Sequence, residues 1–365
     1  MCNHHHLSPV QCIIPPYIND KLMVSDNKLL MKIAANNRYR THRLNGDREF
    51  FRKITDAEKV LLYAKTASKP KPVKQPKLEI YNCKKKPYTT GATLLWKTGA
   101  TKAPVDKDAK NAIKGGEATL RFYYDLFSRN SIDNLGMTIK QFIHYDNKFD
   151  NAFWNGKEMI FGDGDGKIFG NFTSDIDIIG HELTHGVTQY EANLEYHLQA
   201  GALNEAISDI FGIMIKQRLL NQDVKQSNWL IGENVLKGNN YALRSMKAPG
   251  TAYTNHSDLG TDPQPATMDS FVKLPDTYEG DWGGVHYNSG ICNFAFYVMA
   301  NNMGGFAWEK AGRIWYAALT DKVNLKQNAT FKDIKKLTIV KAEDLFGKNS
   351  LEAKAVKGGW DAAKV

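Results

Sequence analysis

A chain of 365 residues with a net charge of +9 and an ordinary balance of apolar and charged side chains can bury a substantial core and divides most naturally into two or three domains. It holds no run of about 18 apolar residues, which excludes a membrane-spanning helix. The positive charge does not point to nucleic acid, because it is concentrated at one end: residues 1–76 carry 14 Lys and Arg against 6 Asp and Glu, without a zinc-finger spacing or RNA-binding signature beside them.

The N-terminus lacks a basic start followed by an apolar run of signal-peptide length, and His4, His5 and His6 read as a solvated tail. Cys2, Cys12, Cys83 and Cys292 lie far apart and make no CxxC, so they form neither a disulfide framework nor a structural zinc site. Cys292 reads as a buried free thiol, with a Cys83–Cys292 bridge as the alternative. Residues 1–67 hold a turn at Pro15-Pro16, a basic middle with Arg38, Arg40, Arg43 and Arg48, and a helical stretch over 56–67. Three prolines and three lysines between 68 and 76 exclude helix or central strand and mark an exposed linker.

From 77 the pattern becomes mainly β. Alternation predicts strands over 78–82, 89–97, 138–144 and 157–161, with one amphipathic helix over 106–127 whose apolar positions are Ala112, Leu120, Tyr123, Tyr124 and Phe127. Gly162-Asp163-Gly164-Asp165-Gly166 reads as a hairpin turn, since it lacks the spacing and closing glutamate of an EF-hand. From 175 helical periodicity prevails: a helix over 175–189, another over 202–220 capped by Gly201, a loop region over 221–285, then helices over 289–302, 307–321, 330–346 and 350–363. The fold class is α+β, a β-rich half followed by an α-helical half.

At their junction lies His181-Glu182-Leu183-Thr184-His185. Histidines four apart on a helix stand one above the other, so both rings reach a single cation, and the glutamate between them can lean over it. Five residues alone are equally compatible with a helix carrying two surface histidines. A catalytic zinc takes three protein ligands, and Glu205 and Asp209 share one face of the next helix, surrounded by Leu203, Ala206, Ile207, Ile210, Phe211 and Ile213. Carboxylates in so apolar a setting need a partner; one would be the ligand and the other would accept the spare ring N–H of a histidine. His286 follows Gly283-Gly284 on a flexible stretch, with Asp281 placed to orient it.

These pieces, with Asn151-Ala152-Phe153-Trp154, Gly201 through Asp209, Leu243-Arg244-Ser245-Met246 and Gly283 through Gly290, together resemble the thermolysin-like metalloproteases over roughly 77–365, in that family's order. The leader, with Cys12-Ile13-Ile14-Pro15-Pro16-Tyr17-Ile18, looks like the short propeptide of the protealysin-like branch. The resemblance implies a two-lobed thermolysin-like fold: an inhibitory propeptide and linker over 1–70, a β-rich catalytic lobe over 77–190 that includes the HExxH helix, and an α-helical lobe over 191–365. It implies a zinc-dependent neutral endopeptidase that cuts on the N-terminal side of hydrophobic residues and is made as a precursor. His181, His185 and Glu205 would bind one zinc ion, with Glu182 as general base. Tyr196 and His286 would stabilise the oxyanion, Asp281 orienting His286, while Asp209 and Asn204 stand behind His181 and His185. Asn151 and the Ala152 carbonyl would hold the peptide and leaving amine, and Arg244 a substrate carbonyl on the primed side. Phe169, Phe172, Ile178, Ile231, Val235 and Leu243 would line the pocket after the scissile bond, Phe172 narrowing it.

The sequence departs from the family at its paired calcium site. Asp177 and Glu233 persist, but Lys216, Asn228 and Leu230 stand where acids are expected, so calcium binding there is expected to be lost. Pro15 to Ile18 are expected to approach the cleft and make the leader an intramolecular inhibitor, with Cys12 weighed as a zinc thiolate against an incidental cysteine. The expected partners are protein and peptide substrates, with no nucleic acid, for a monomer secreted without a standard signal peptide; a cytoplasmic precursor is the alternative. An aminopeptidase would need a group for a free amine, and none is visible. A non-catalytic scaffold would show losses at Glu182, Glu205 or His286, and all three are present.

Overall fold

The structure is a computed structural model that describes residues 11–41, 76–238 and 241–365; the helix expected over 56–67 and nearly all of the linker lie outside them. The leader contributes a short strand β1 (Gln11–Cys12) and two helices, α1 (Pro16–Met23) and α2 (28–41). The expected Pro-Pro turn is in fact a helix start. Pro15 is the extended N-cap and Pro16 the first helical residue, where a fixed φ and a missing N–H cost nothing. In α2 the Asn27 side chain caps the Leu29 and Leu30 amides, and Leu30, Ile33, Ala34, Asn37 and Thr41 form the buried face.

The first lobe is built on a mixed six-stranded sheet of order β1-β5-β6-β4-β2-β3, with β2 (Leu78–Asn82), β3 (Thr93–Lys97), β4 (Ile139–Ile143), β5 (Ala152–Trp154) and β6 (Met159–Phe161). β2, β4 and β6 run parallel and the other pairings are antiparallel. β5 escapes the sequence reading because all three residues are buried and leave no alternation to detect. The leader's β1 completes the sheet by pairing with β5, Gln11 opposite Trp154 and Cys12 opposite Phe153. Helix α3 (Lys107–Phe127) packs on the sheet, its first amides capped by Asp106.

The Gly-Asp run at 162–166 is not a hairpin, for no strand returns from it. Asp165 instead accepts the amides of Lys167, Ile168 and Phe169, while Asp163 accepts from Asn171 and pairs with His144 Nδ1 at 2.7 Å. His144 Nε2 meets Asp106 at 3.0 Å, so one imidazole ties the end of β4 to the α3 cap and to this loop.

The second lobe is helical: α4 (Ile176–Tyr190), α5 (Leu198–Leu220), α6 (Asp281–Met303), α7 (Ala311–Leu319), α8 (Phe331–Phe346) and α9 (Leu351–Ala362). The expected loop region also holds a small antiparallel ribbon, β7 (Leu230–Ile231) with β8 (Arg244–Ser245). Helix α5 starts four residues earlier than expected, so Gly201 is not its cap but lies inside it, where a methyl group would come within 2.5 Å of Val285. Helices α4 and α5 are buried almost all round and pass closest at Gly180 and Gly212; a methyl group on Gly212 would stand 2.5 Å from the Asp177 carbonyl. Cys83 and Cys292 are both free and buried, in two different apolar clusters, which rules out the bridge.

The carboxylate of Asp163, and then that of Asp106, hold the His144 imidazolium against the opposing pull of burial, up to about 9. Its contribution to stability is therefore complete below the ordinary histidine value of about 6.5 and fades as pH rises through about 9. His144→Asn, which tolerates the positive φ of this residue, is expected to cost about 1–3 kcal/mol at pH 6 and distinctly less above pH 9, as read from urea unfolding midpoints.

Candidate metal centre

The close approach of α4 and α5 sets His181 and His185 opposite Glu205. The Nε2 atoms of His181 and His185 lie 3.4 and 3.3 Å from the Glu205 carboxylate oxygens, and all three side chains are fully buried. Both Nε2 atoms and Glu205 Oε2 lack a hydrogen-bond partner. Three buried polar atoms converging without a donor among them are what a cation would satisfy, and two imidazoles with one carboxylate are a donor set that suits zinc.

The far side of each ring is held. His181 Nδ1 meets Asp209 at 2.8 Å; His185 Nδ1 meets Asn204 at 3.0 Å and Ser208 Oγ at 2.9 Å. Donation from Nδ1 leaves the Nε2 lone pair free for a metal. The open choice between Glu205 and Asp209 is thereby resolved by geometry: Glu205 faces the ring nitrogens that converge, Asp209 the ones that point away. Asp209 also accepts from Nε and Nη2 of Arg244, each at 2.8 Å, and from the Asn293 amide at 2.8 Å. Despite burial, Arg244 and His181 hold its carboxyl down to about 2.

Glu182 accepts the Trp154 amide at 3.0 Å through one oxygen while the other, Oε1, has no partner. Burial pushes its carboxyl up to about 8. Across the cleft, Tyr196 hydroxyl donates to Glu205 and stands 3.2 Å from His286 Nε2. His286 is locked by Asp281, which meets Nδ1 at 2.5 Å and accepts the His286 amide at 2.8 Å. Burial opposes its charge, but Asp281 and Glu205 outweigh it and raise the imidazole to about 9. The expected flexible Gly-Gly is a left-handed turn instead: Asp281, Trp282, Gly283 and Gly284 all have positive φ, and this turn aims Asp281 back at the ring.

The leader lies through this cleft as strand β1 over Gln11–Cys12 followed by a bend at Ile13 and Ile14. His286 Nε2 donates to the Cys12 carbonyl at 2.9 Å, the Ile13 amide to the Ala152 carbonyl at 3.2 Å, Arg244 to the Ile13 carbonyl at 3.0 Å, and the Ile14 amide to the Asn151 side chain at 3.0 Å. The segment at the centre is thus Gln11–Ile14 rather than Pro15–Ile18, which begins α1; Tyr17 meets Tyr287 beside the cleft in a tilted contact, ring centres 4.4 Å apart. Cys12 brings its carbonyl to the centre, while its thiol bonds the Ile14 carbonyl at 3.4 Å and stands outside the converging triad. Phe169, Phe172, Ile178, Ile231, Val235 and Leu243 are all buried and belong to the same apolar cluster as Ile13 and Ile14.

Lys216 reaches Asp177 at 2.9 Å, Glu233 at 2.7 Å and the Leu230 carbonyl at 3.3 Å, and Asn228 donates to Glu233 at 2.5 Å. Sequence reasoning missed Ser208, Asn293 and Gln264, which donates to the His286 carbonyl at 2.6 Å. Ser208 and Asn293 carried a signal, as polar residues on apolar helical faces; Gln264, in an irregular loop, carried none.

Residues 36–189 match the model of the thermolysin metallopeptidase catalytic domain, and residues 192–365 that of the thermolysin metallopeptidase alpha-helical domain. Protease PrtS of Photorhabdus sp. is 50% identical over 66% of this chain and 64% of its own length, so the match spans just under two thirds of that relative. An extracellular metalloprotease of Pectobacterium carotovorum is 48% identical over 68% of this chain and 70% of its own. The solved precursor of protealysin, a metalloproteinase from Serratia proteamaculans, superposes with a TM-score of 0.84 at 37% identity, covering 97% of this chain and 99% of that one. With both domain models matched in order around a buried His-His-Glu triad, this chain belongs to the thermolysin metallopeptidase family.

Proposed function

We propose that the chain is a zinc-dependent endopeptidase that hydrolyses peptide bonds on the N-terminal side of hydrophobic residues. The observation that carries this reading is the leader segment Gln11–Ile14, held in the cleft of the His181–His185–Glu205 triad with one carbonyl on His286 and the next amide on the Ala152 carbonyl. His181, His185 and Glu205 would hold zinc, which when bound supplies Lewis acidity and lowers the pKa of water. Glu182 takes the proton of the attacking water and returns it to the leaving amine. Tyr196 and His286, the latter oriented by Asp281, donate to the carbonyl oxygen as its charge grows. Asn151 and Ala152 hold the backbone after the scissile bond and Arg244 the next carbonyl, while Asp209 and Asn204 fix the ring orientations. Phe169, Phe172, Ile178, Ile231, Val235 and Leu243 form the apolar wall that selects the following side chain, with Phe172 limiting its size.

In this reading residues 1–70 are an inhibitory propeptide and linker, 77–190 and 191–365 the two catalytic lobes, and the precursor is latent because its own leader fills the cleft. The name of the Pectobacterium relative supports export as the destination. Lys216 takes the place of a cation between Asp177 and Glu233, so no calcium is required there.

Glu182→Gln is expected to keep one zinc per chain by elemental analysis while lowering hydrolysis of a peptide with a central Leu roughly 10²–10⁴-fold; undiminished turnover would sink the mechanism. Removal of the leader is expected to raise activity on the same peptide, and equal activity before and after would end the latency reading. A calcium-specific chelator is expected to leave the melting temperature unchanged, whereas Lys216→Glu should make it depend on calcium.

A further inference from the structure

We propose that this chain cuts its own leader at the Cys12–Ile13 bond, an inference that rests on the peptidase reading above. The four leader contacts do more than fill the cleft; they set a direction and a register. The carbonyl on His286 belongs to Cys12 and the amide on Ala152 belongs to Ile13, so the amide between these two residues is the one presented at the reaction centre. Strand β1 runs antiparallel to β5, and beyond it the Arg244 and Asn151 side chains take the Ile13 carbonyl and the Ile14 amide.

The prolines pin that register. Ile13 and Ile14 are the last two residues before Pro15 and Pro16, which have no N–H. A slide that put Ile14 at the Ala152 carbonyl would leave Asn151 facing Pro15, and a slide of two would leave the Ala152 carbonyl itself without a donor. The prolines therefore do not shield the bond two residues before them; they hold it in place.

Hydrolysis needs only water. Its oxygen joins the Cys12 carbonyl carbon, the bond to the Ile13 nitrogen breaks, and the proton carried by Glu182 ends on that nitrogen, leaving a Cys12 carboxylate and an Ile13 ammonium. Upstream of the cut, Gln11 and Cys12 are paired with β5. Downstream, the leader stays fastened through Ile13 and Ile14, Tyr17 on Tyr287, Lys21 on the Leu259 carbonyl at 2.7 Å, Asn37 on Asp150 at 2.8 Å and Arg40 on Asp146 at 2.7 Å. The cut thus separates residues 1–12 from the rest of the chain, while the downstream half of the cleft stays filled until the leader itself departs.

The test follows the intact mass and N-terminus of the zinc-loaded full chain over time. A product beginning at Ile13 is expected, formed at a rate unchanged by tenfold dilution, and absent from the Glu182→Gln chain. In parallel, the Ile13→Asp full chain, whose leader cannot seat, is assayed on a free peptide with a central Leu. If that peptide is cut while Cys12–Ile13 stays whole in the parent chain, the inference fails and the peptidase reading stands; if neither is cut, both fall. A trimming rate that falls with dilution overturns cutting within one molecule. Register is read without turnover: in the Glu182→Gln background, Ile13→Asp should tighten binding of a fluorescein-labelled copy of residues 9–20 at least tenfold by anisotropy, and no change would overturn it.

Discussion

Asp209 is the charge on which the centre depends. One buried carboxylate orients His181, receives the Arg244 fork and accepts the Asn293 amide. His181 on α4, Arg244 on β8 and Asn293 on α6 therefore share one anchor on α5. A lone ion of this kind in the interior would cost several kcal/mol; here every lone pair has a donor, and Nη1 of the arginine donates into the cleft to the Ile13 carbonyl. The anchor and the leader contact are two sides of one guanidinium.

The same logic of shared groups runs through the leader. A three-residue strand such as β5 presents an edge that invites another chain. Here the leader supplies that neighbouring strand, and its helical part fastens to both lobes: Asn37 and Arg40 to the β-rich lobe, Lys21 and Ser25 to the helical lobe. The backbone contacts alone would suit any peptide; the helices make this one intramolecular.

The lobes divide the physical work. The sheet offers a backbone ladder that is indifferent to sequence, and the helical lobe supplies the charged and apolar groups that are not. Lys216, carried by α5, pairs with both Asp177 and Glu233 and ties their elements together by charge. Its ammonium is already in place when the helix forms.

HExxH and the Glu205–Asp209 pair were legible in the linear chain because helical periodicity fixes which residues share a face, and because acids amid leucine and isoleucine need a partner. Helices with a clear apolar stripe, such as α3 and α8, were legible for the same reason. The sequence could not show that Pro15-Pro16 opens a helix, that Gly283-Gly284 continues a left-handed turn, or that Ala152–Trp154 is a strand, since each depends on neighbours far away in the chain. Nor could it say that Cys12 would offer a carbonyl instead of a thiol, which is decided by the register of β1 on β5. Residue types and spacing determined which groups could do chemistry. Only the packing of α4 on α5 at Gly180 and Gly212, and of the leader on the sheet edge, decided which atoms meet, because those distances are set by contacts between segments that no local pattern encodes.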